Sequence, residues 1–490
     1  MLTNQLTATT EVAPNSGPVL GTLQALGSFV DNSVTASCEK LGFSEILRSQ
    51  GIKKKLGAGV IPIFLVILIS PIVKAQSLWA FCEDFLDRLS IGSKDVIYRF
   101  LTREDIKWAV LLQRLARSFV RFHSNFFMES DSDRFALVVD DSLKERSGKV
   151  EGSASHWDHN KNQAVRSQQV LMLGLAFKQG FVPLLTQICT GKKRRQERSK
   201  PFKDGRSEVA KAYRRGIEED KNAILATMLK KITRLLGIKI KWLLGDSWYG
   251  TKGNIKTAID LGLECIFLMK KSRLKYRFQG RLFTAQELYE CWKRKMKPLA
   301  GGRFRGVMLK VEINLGNDQD PKWQGVSLMF SRPKHNKSQD GWVVCLCSDK
   351  KIDMEKILEI YSMRWSIEVF FKECKQNLAW LNNQSKDYVG SDASLHLSAI
   401  RYILLLDGAL EGAQNLSELR KVQNKTLTLL CYMGLLWELF TNLVFGMLEE
   451  LKKQFGTELI AELRASLEEK LDEFIKTAFQ VDQNSIESAY

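Results

Sequence analysis

Three acidic residues and one helix face carry the chemistry that this sequence can support. Asp140 ends an apolar run, FALVVD, and Asp246 ends a second, IKIKWLLGD. Glu368 stands in residues 353–378, DMEKILEIYSMRWSIEVFFKECKQNL. That segment has no Gly or Pro and predicts one continuous helix, with Asp353 as its N-cap and Glu355 in its first turn. Tyr361, Arg364, Glu368 and Lys375 lie at offsets 0, 3, 7 and 14. On a helix those offsets fall on one stripe, which Lys372 joins. An acid among cations and a phenol is, taken alone, a solvated face stitched by pairs such as Arg364–Glu368–Lys372. The strand-end acids argue for more. If the strands that end in Asp140 and Asp246 are neighbours in a mixed sheet, the two acids meet at one edge, and a helix packed there brings Glu368 to them. Three such carboxylates repel unless a cation joins them, and all-oxygen donors select Mg²⁺ or Mn²⁺. Two such ions about 4 Å apart suit phosphodiester chemistry. No Ser, Cys or His arrangement offers a competing site. His156 and His159, in SHWDHN, read as a polar loop near the site rather than a zinc pair.

Elements able to hold these residues follow from the apolar patterning. Residues 1–32 form a loose leader rich in Thr, Asn, Gly and Ser. Residues 33–125 read as a helical N-terminal DNA-binding region. It includes the apolar run GAGVIPIFLVILISPIV at 57–73, which Pro62 and Pro71 interrupt, so a buried helix is expected there rather than a membrane span. From 126 to 269 the pattern is β-β-β-α-β-α-β: strands at 135–141, 170–177, 181–189, 238–246 and 264–269, with helices at 206–236 and 254–261. Residues 270–351 alternate short strands with polar turns, a β-rich insertion. Residues 352–410 supply the closing helices of the core. Residues 411–490 form a helical C-terminal region whose stripe Leu459, Leu463, Leu467 and Leu471 packs on the body or pairs two copies. The fold class is therefore α/β, with helical flanks.

The 490 residues carry 73 Lys and Arg against 55 Asp and Glu, a net charge of +18. The last 42 residues hold ten acids and five bases, so the rest carries +23. A basic body points to a polyanion, with nucleic acid the default partner. The basic runs agree: residues 192–215, which include Lys193, Arg194 and Arg195, hold eleven bases and three acids. Further runs lie at Lys270, Lys271, Arg273, Lys275 and Arg277, and at Lys293, Arg294, Lys295 and Lys297. Nine scattered cysteines without a CxxC pair indicate reduced thiols and no zinc site. With no signal-peptide pattern, a cytoplasmic location is expected.

Together, the strand order, the three acids, the β insertion and the spacing Tyr361-x2-Arg364-x3-Glu368-x6-Lys375 resemble the bacterial DDE transposases of RNase H-like fold. More narrowly they resemble the insertion-sequence transposases with a Tyr-Arg-Glu-Lys signature, the insertion sequence 4 group. The resemblance spans residues 134–378. It implies a cut-and-paste enzyme that frees transposon ends and joins their 3′-hydroxyls to target DNA. It also implies two Mg²⁺ or Mn²⁺ ions on Asp140, Asp246 and Glu368. Tyr361, Arg364 and Lys375 would grip double-stranded DNA near the cleaved end, and a homodimer would pair two ends. One departure is that Asp140 and Asp141 are adjacent where the family motif has a single Asp. Successive strand residues face opposite ways, so only one can face the metals, and Asp140 aligns better. Some relatives hold a flipped base on an aromatic residue of the insertion, for which Trp323 and Trp342 are candidates; Trp342, which starts a strand, better suits a core. The alternatives are an RNase H-like nuclease, a DNA-binding descendant that no longer transposes, and a membrane-associated protein anchored by residues 57–73.

Overall fold

The structure, a computed structural model, describes residues 32–54, 59–71, 94–158, 161–191, 198–335, 338, 340–383, 385–411, 443–452 and 455–478. Residues 1–31 of the expected leader, part of the helical stretch expected before residue 94, and residues 412–442 of the expected helical C-terminal region lie outside them. The chain divides into two compact units, Ser37–Leu416 and a second made of Met1–Ala36 with Ser417–Tyr490.

Helices lead into the sheet: α1 (Asn32–Lys40), α2 (Phe43–Ser49), α3 (Val60–Ile69), α4 (Lys94–Leu101) and α5 (Trp108–Phe122). The apolar run expected to be a core helix is α3. Ile63, Phe64, Ile67 and Leu68 are buried, and Phe64 meets Phe43, Phe100 and Trp108 with ring centroids 5.2–6.0 Å apart. Burying each such side chain stabilises the fold by about 1.5–3 kcal/mol. Among the described residues one helix is long and apolar enough to cross a membrane, at Tyr388–Leu410, and 83% of its most apolar window is buried in the protein.

Next come β1 (Phe135–Glu145), β2 (Ala154–Asp158), β3 (Gln163–Phe177) and β4 (Gly180–Cys189), then α6 (Glu208–Glu218), α7 (Lys221–Leu235), β5 (Trp242–Gly245), α8 (Lys252–Asp260) and β6 (Glu264–Met269). The strands lie side by side as β4-β3-β1-β5-β6. β1 pairs antiparallel with β3 and parallel with β5, and β5 pairs parallel with β6. β1 begins with five consecutive buried residues, as expected of a strand covered on both faces. The sheet thus puts the Asp140 and Asp246 strands next to each other, as the expected mixed α/β core requires.

Residues 270–351, expected as a β-rich insertion, hold β7 (Lys275–Phe278), β8 (Arg281–Thr284), α9 (Ala285–Trp292), β9 (Lys297–Leu299), β10 (Phe304–Asn314), β11 (Trp323–Pro333) and β12 (Val343–Cys347). Its strands prolong the core sheet, because β12 pairs antiparallel with β6 and the order continues β11-β10-β7-β8. The helix α9 adds to the expected strands and turns; Thr284 and Glu287 form a capping box that starts it. The chain then returns through α10 (Met354–Ser362), α11 (Trp365–Asn377) and α12 (Tyr388–Glu411).

Three expectations are corrected. The single helix expected over 353–378 is two, α10 and α11. Between them the hydrogen bonds shorten to i→i−3: Met363 N to Ile360 O, Arg364 N to Tyr361 O, Ser366 N to Met363 O and Ile367 N to Arg364 O, at 3.0–3.2 Å. Such a tightened turn bends a helix without Gly or Pro. The helix expected over 206–236 is also two, because Asp220 accepts from the amides of Asn222 and Ala223 and starts α7 afresh. Finally, SHWD is not loop but most of β2, whose burial alternates against β3.

Two buried polar anchors fix the helical layer. Asp407 of α12 receives Ser37 Oγ, Lys40 Nζ and His123 Nε2, each at 2.7 Å. Arg401, also on α12, donates to the carbonyls of Ile67, Leu68 and Leu378 at 2.5–3.1 Å, closing the C-terminal ends of α3 and α11. In the second unit, residues 443–452 are helical, Gly456 (φ 82°) breaks the chain's direction, and α13 (Thr457–Ala478) follows. Leu443, Met447, Leu451, Phe455, Leu459 and Leu463 are all exposed.

Candidate active site

β1 carries Asp140 and Asp141 on opposite faces, and their surroundings differ completely. Asp140 accepts from the Asp141 amide at 2.8 Å and lies 3.5 Å from Arg364 Nη1. Burial first, and then the charge of Asp246, push its carboxyl up to about 7. Asp246 follows β5, which is hydrogen-bonded to β1. Its carboxylate accepts from the amides of Trp248 (2.9 Å) and Tyr249 (3.4 Å), fixing the turn. Gly250 completes that turn where no side chain fits: a Cβ would sit 2.3 Å from the Leu268 carbonyl oxygen.

α11 packs against β1, β3 and β4 and brings the third acid to this face. Glu368, one turn into the helix, pairs with Arg364 Nη2, not with Lys372, which is exposed. One guanidinium therefore lies between Asp140 and Glu368. Tyr361, at the end of α10, donates its hydroxyl to the Gly245 carbonyl at 3.3 Å, next to Asp246. Burial raises the Tyr361 phenol well above its ordinary range. The tightened turn between α10 and α11 is what lets Tyr361 and Arg364 both reach the strand ends. Lys375 lies two turns further along α11, beyond the carboxylates.

Asp141 faces a filled polar nest. It accepts from Tyr249 Oη (2.6 Å), Lys221 Nζ (2.9 Å) and Gln169 Nε2 (2.5 Å). Lys221, at the start of α7, also lies 3.7 Å from the Trp248 ring. The nest thus ties β1 to the turn that holds Asp246. His156 belongs to this side: its Nδ1 is 3.1 Å from Ser167 Oγ, and burial and then Lys221 hold it below the usual imidazole range. His159 lies outside the described residues, as do Lys193, Arg194 and Arg195. Trp342 is buried and stacks on Tyr289 with centroids 4.2 Å apart, whereas Trp323 is half-buried beside Arg277. Sequence reasoning missed Tyr249 and Lys221, since nothing local announces that they serve Asp141. It also missed Lys144, which strand alternation from Asp140 would have placed on the same face.

Among the described residues, no three acid, imidazole or thiol groups are already gathered to hold one metal ion. The donor chemistry nonetheless fits a hard divalent cation. Two neighbouring carboxylates oppose each other's charge, Glu368 is one guanidinium away, and every donor is an oxygen.

The mixed sheet and this acidic face fit a nuclease-type enzyme, and the comparison with protein families points to that class, whose core is RNase H-like. The family described as the DDE superfamily endonuclease matches residues 82–306, and the transposase DDE domain matches residues 209–404. The first span contains Asp140 and Asp246, the second Asp246 and Glu368. Together they support a DDE-superfamily transposase, whose substrate is DNA. No curated protein matches the chain.

Proposed function

We propose that the chain is an insertion-sequence transposase of the Tyr-Arg-Glu-Lys group. It would cut transposon ends and join the freed 3′-hydroxyl to target DNA. The observation that carries this reading is the opposed Asp140–Asp246 pair with Glu368 and Arg364 on one face of the sheet. Asp140, Asp246 and Glu368 would hold the divalent ions, Mg²⁺ or Mn²⁺, which when bound polarise the scissile phosphate and activate the attacking water or hydroxyl. Arg364 neutralises Asp140 and Glu368 in the free protein, and its planar donor set suits a phosphate equally well. Tyr361 braces the Asp246 turn through the Gly245 carbonyl. Lys375 would meet the DNA backbone, as would the basic run with Lys193, Arg194 and Arg195.

A second copy pairing two DNA ends is supported by exposed apolar residues on both sides of Gly456: Leu443, Met447 and Leu451 before it, Leu459 and Leu463 after it. On this reading residues 126–269 and 352–410 form the catalytic core, 270–351 an insertion within it, 33–125 a DNA-binding region and 411–490 a dimerisation region.

The test is incubation of the full-length protein with Mg²⁺ and DNA bearing the inverted repeats that flank its gene. The wild type is expected to release ends and join them to a target plasmid. Asp246→Asn and Glu368→Gln are expected to lose about 1,000-fold or more, equivalent to about 4 kcal/mol of barrier. Undiminished joining by both variants would sink the assignment; cutting without joining by the wild type would leave only a nuclease.

A further inference from the structure

Strand alternation puts Asp140, Ser142 and Lys144 on one face of β1, and Arg146 follows just past its end. At about 3.3 Å per residue, Lys144 lies roughly 13 Å beyond Asp140 along the strand. On α11, Lys375 lies seven residues beyond Glu368, roughly 10 Å at 1.5 Å per residue. Helix and strand therefore carry a lysine at similar distances from their acids, and the two lysines converge closely enough for Lys144 to act electrostatically on Lys375.

Neither ammonium has a hydrogen bond or ion pair among the described residues. Lys144 is held below the usual amine range by partial burial and then by Arg146. Lys375 is held down by the same loss of water and then by Lys144, with Asp158 opposing the shift. Arg146 itself is committed to the fold: it donates to Gln168 Oε1 (2.8 Å), to Asn383 Oδ1 (2.7 Å) and to the Asn383 carbonyl (3.3 Å). Like charges set side by side, Lys144 half-buried and Lys375 open to solvent, cost free energy that a bound anion would return. A duplex strand carries one phosphate per about 3.4 Å of axis, so 10–13 Å from the carboxylates is about three to four nucleotides along.

We propose that Lys144 and Lys375 form one seat for a backbone phosphate of the DNA strand, about three nucleotides from the bond held at Asp140, Asp246 and Glu368, with Lys144 as a contact residue in its own right. This rests on the reading of the chain as a DNA transposase. The seat fixes the register of the strand: carboxylates at one end and ammoniums at the other set how far the reacting bond lies from the gripped phosphate.

The test is binding of the full-length protein to a fluorescein-labelled duplex of random sequence, followed as a function of salt. Losing one neutralised phosphate lowers the slope of log affinity against log salt by about 0.9. The double variant of Lys144→Ala with Lys375→Ala, which empties the seat, is expected to lower it by about 0.9, and each single variant by a measurable part of that. Lys144→Arg should keep the wild-type slope while Lys144→Gln lowers it, a difference that a purely structural lysine would not produce. Lys144→Gln keeps the side-chain stem and serves as the check if alanine disturbs β1. Thermal midpoints should stay level or rise, since the repulsion between two like charges is removed. A wild-type slope in both Lys144→Ala and Lys144→Gln, with unchanged midpoints, overturns the proposal. A wild type whose binding to the duplex does not depend on salt overturns the transposase reading itself.

Discussion

Asp140 and Asp141 are neighbours in sequence and opposites in setting. Asp141 is satisfied three times over, by Tyr249, Lys221 and Gln169, and needs nothing further. Asp140 is half-buried beside another carboxylate, and its nearest cation is shared with Glu368. Where a fold satisfies a buried acid, the acid holds elements together; where it sets two acids against each other, the site is arranged for a ligand not supplied by the chain. Asp407 extends the contrast. With Ser37, Lys40 and His123 around it, it is as fully answered as Asp141.

The largest effect should come from the unanswered acid. Asp140→Asn is expected to reduce end cleavage by about 1,000-fold or more while the thermal midpoint stays level or rises, because a repelled charge is removed. A variant that unfolds would break the contrast.

Next is Asp407→Asn, expected to cost about 3 kcal/mol in denaturant unfolding, since it leaves Lys40 and His123 facing each other without a buried counter-charge. Its partners hold the Asp407 carboxyl below its ordinary range. With the folded value below the unfolded one of about 3.9, the stabilisation is complete above pH ~4 and fades as pH falls through the folded value. The variant should lack that acid-side decline.

Asp141→Asn should cost somewhat less, about 2 kcal/mol, because the Lys221 pair keeps some exposure to water. Cleavage per folded molecule should change far less than in Asp140→Asn; parallel melting and cleavage measurements check this. Smallest is Tyr361→Phe, which removes one neutral hydrogen bond to Gly245 and should cost about 1 kcal/mol in stability, together with a weaker grip on DNA in a binding titration.

The sequence made one half of this contrast readable and hid the other. Apolar runs closed by Asp140 and Asp246 marked the strands, because a strand covered on both faces reads as uninterrupted apolar residues. The offsets among Tyr361, Arg364, Glu368 and Lys375 marked the face. Hidden was the tightened turn at residues 360–367, which no Gly or Pro announces and which tertiary packing against the sheet holds. Hidden too were the partners of Asp141 and Asp407. Lys221 is 80 residues from Asp141, and Ser37 is 370 from Asp407. Only the completed fold brings them together. β2 was masked by its polarity, since an edge strand with one wet face can look like a loop.

Metal binding separates the two aspartates most directly. Calorimetric titration of Mn²⁺ into the full-length protein should find Asp140→Asn weakened by more than the roughly 10- to 100-fold typical of residues that merely support a ligand. Asp141→Asn should shift by less than about 10-fold. An Asp141→Asn protein that no longer binds Mn²⁺, beside an Asp140→Asn protein that still does, would contradict the assignment of the two faces.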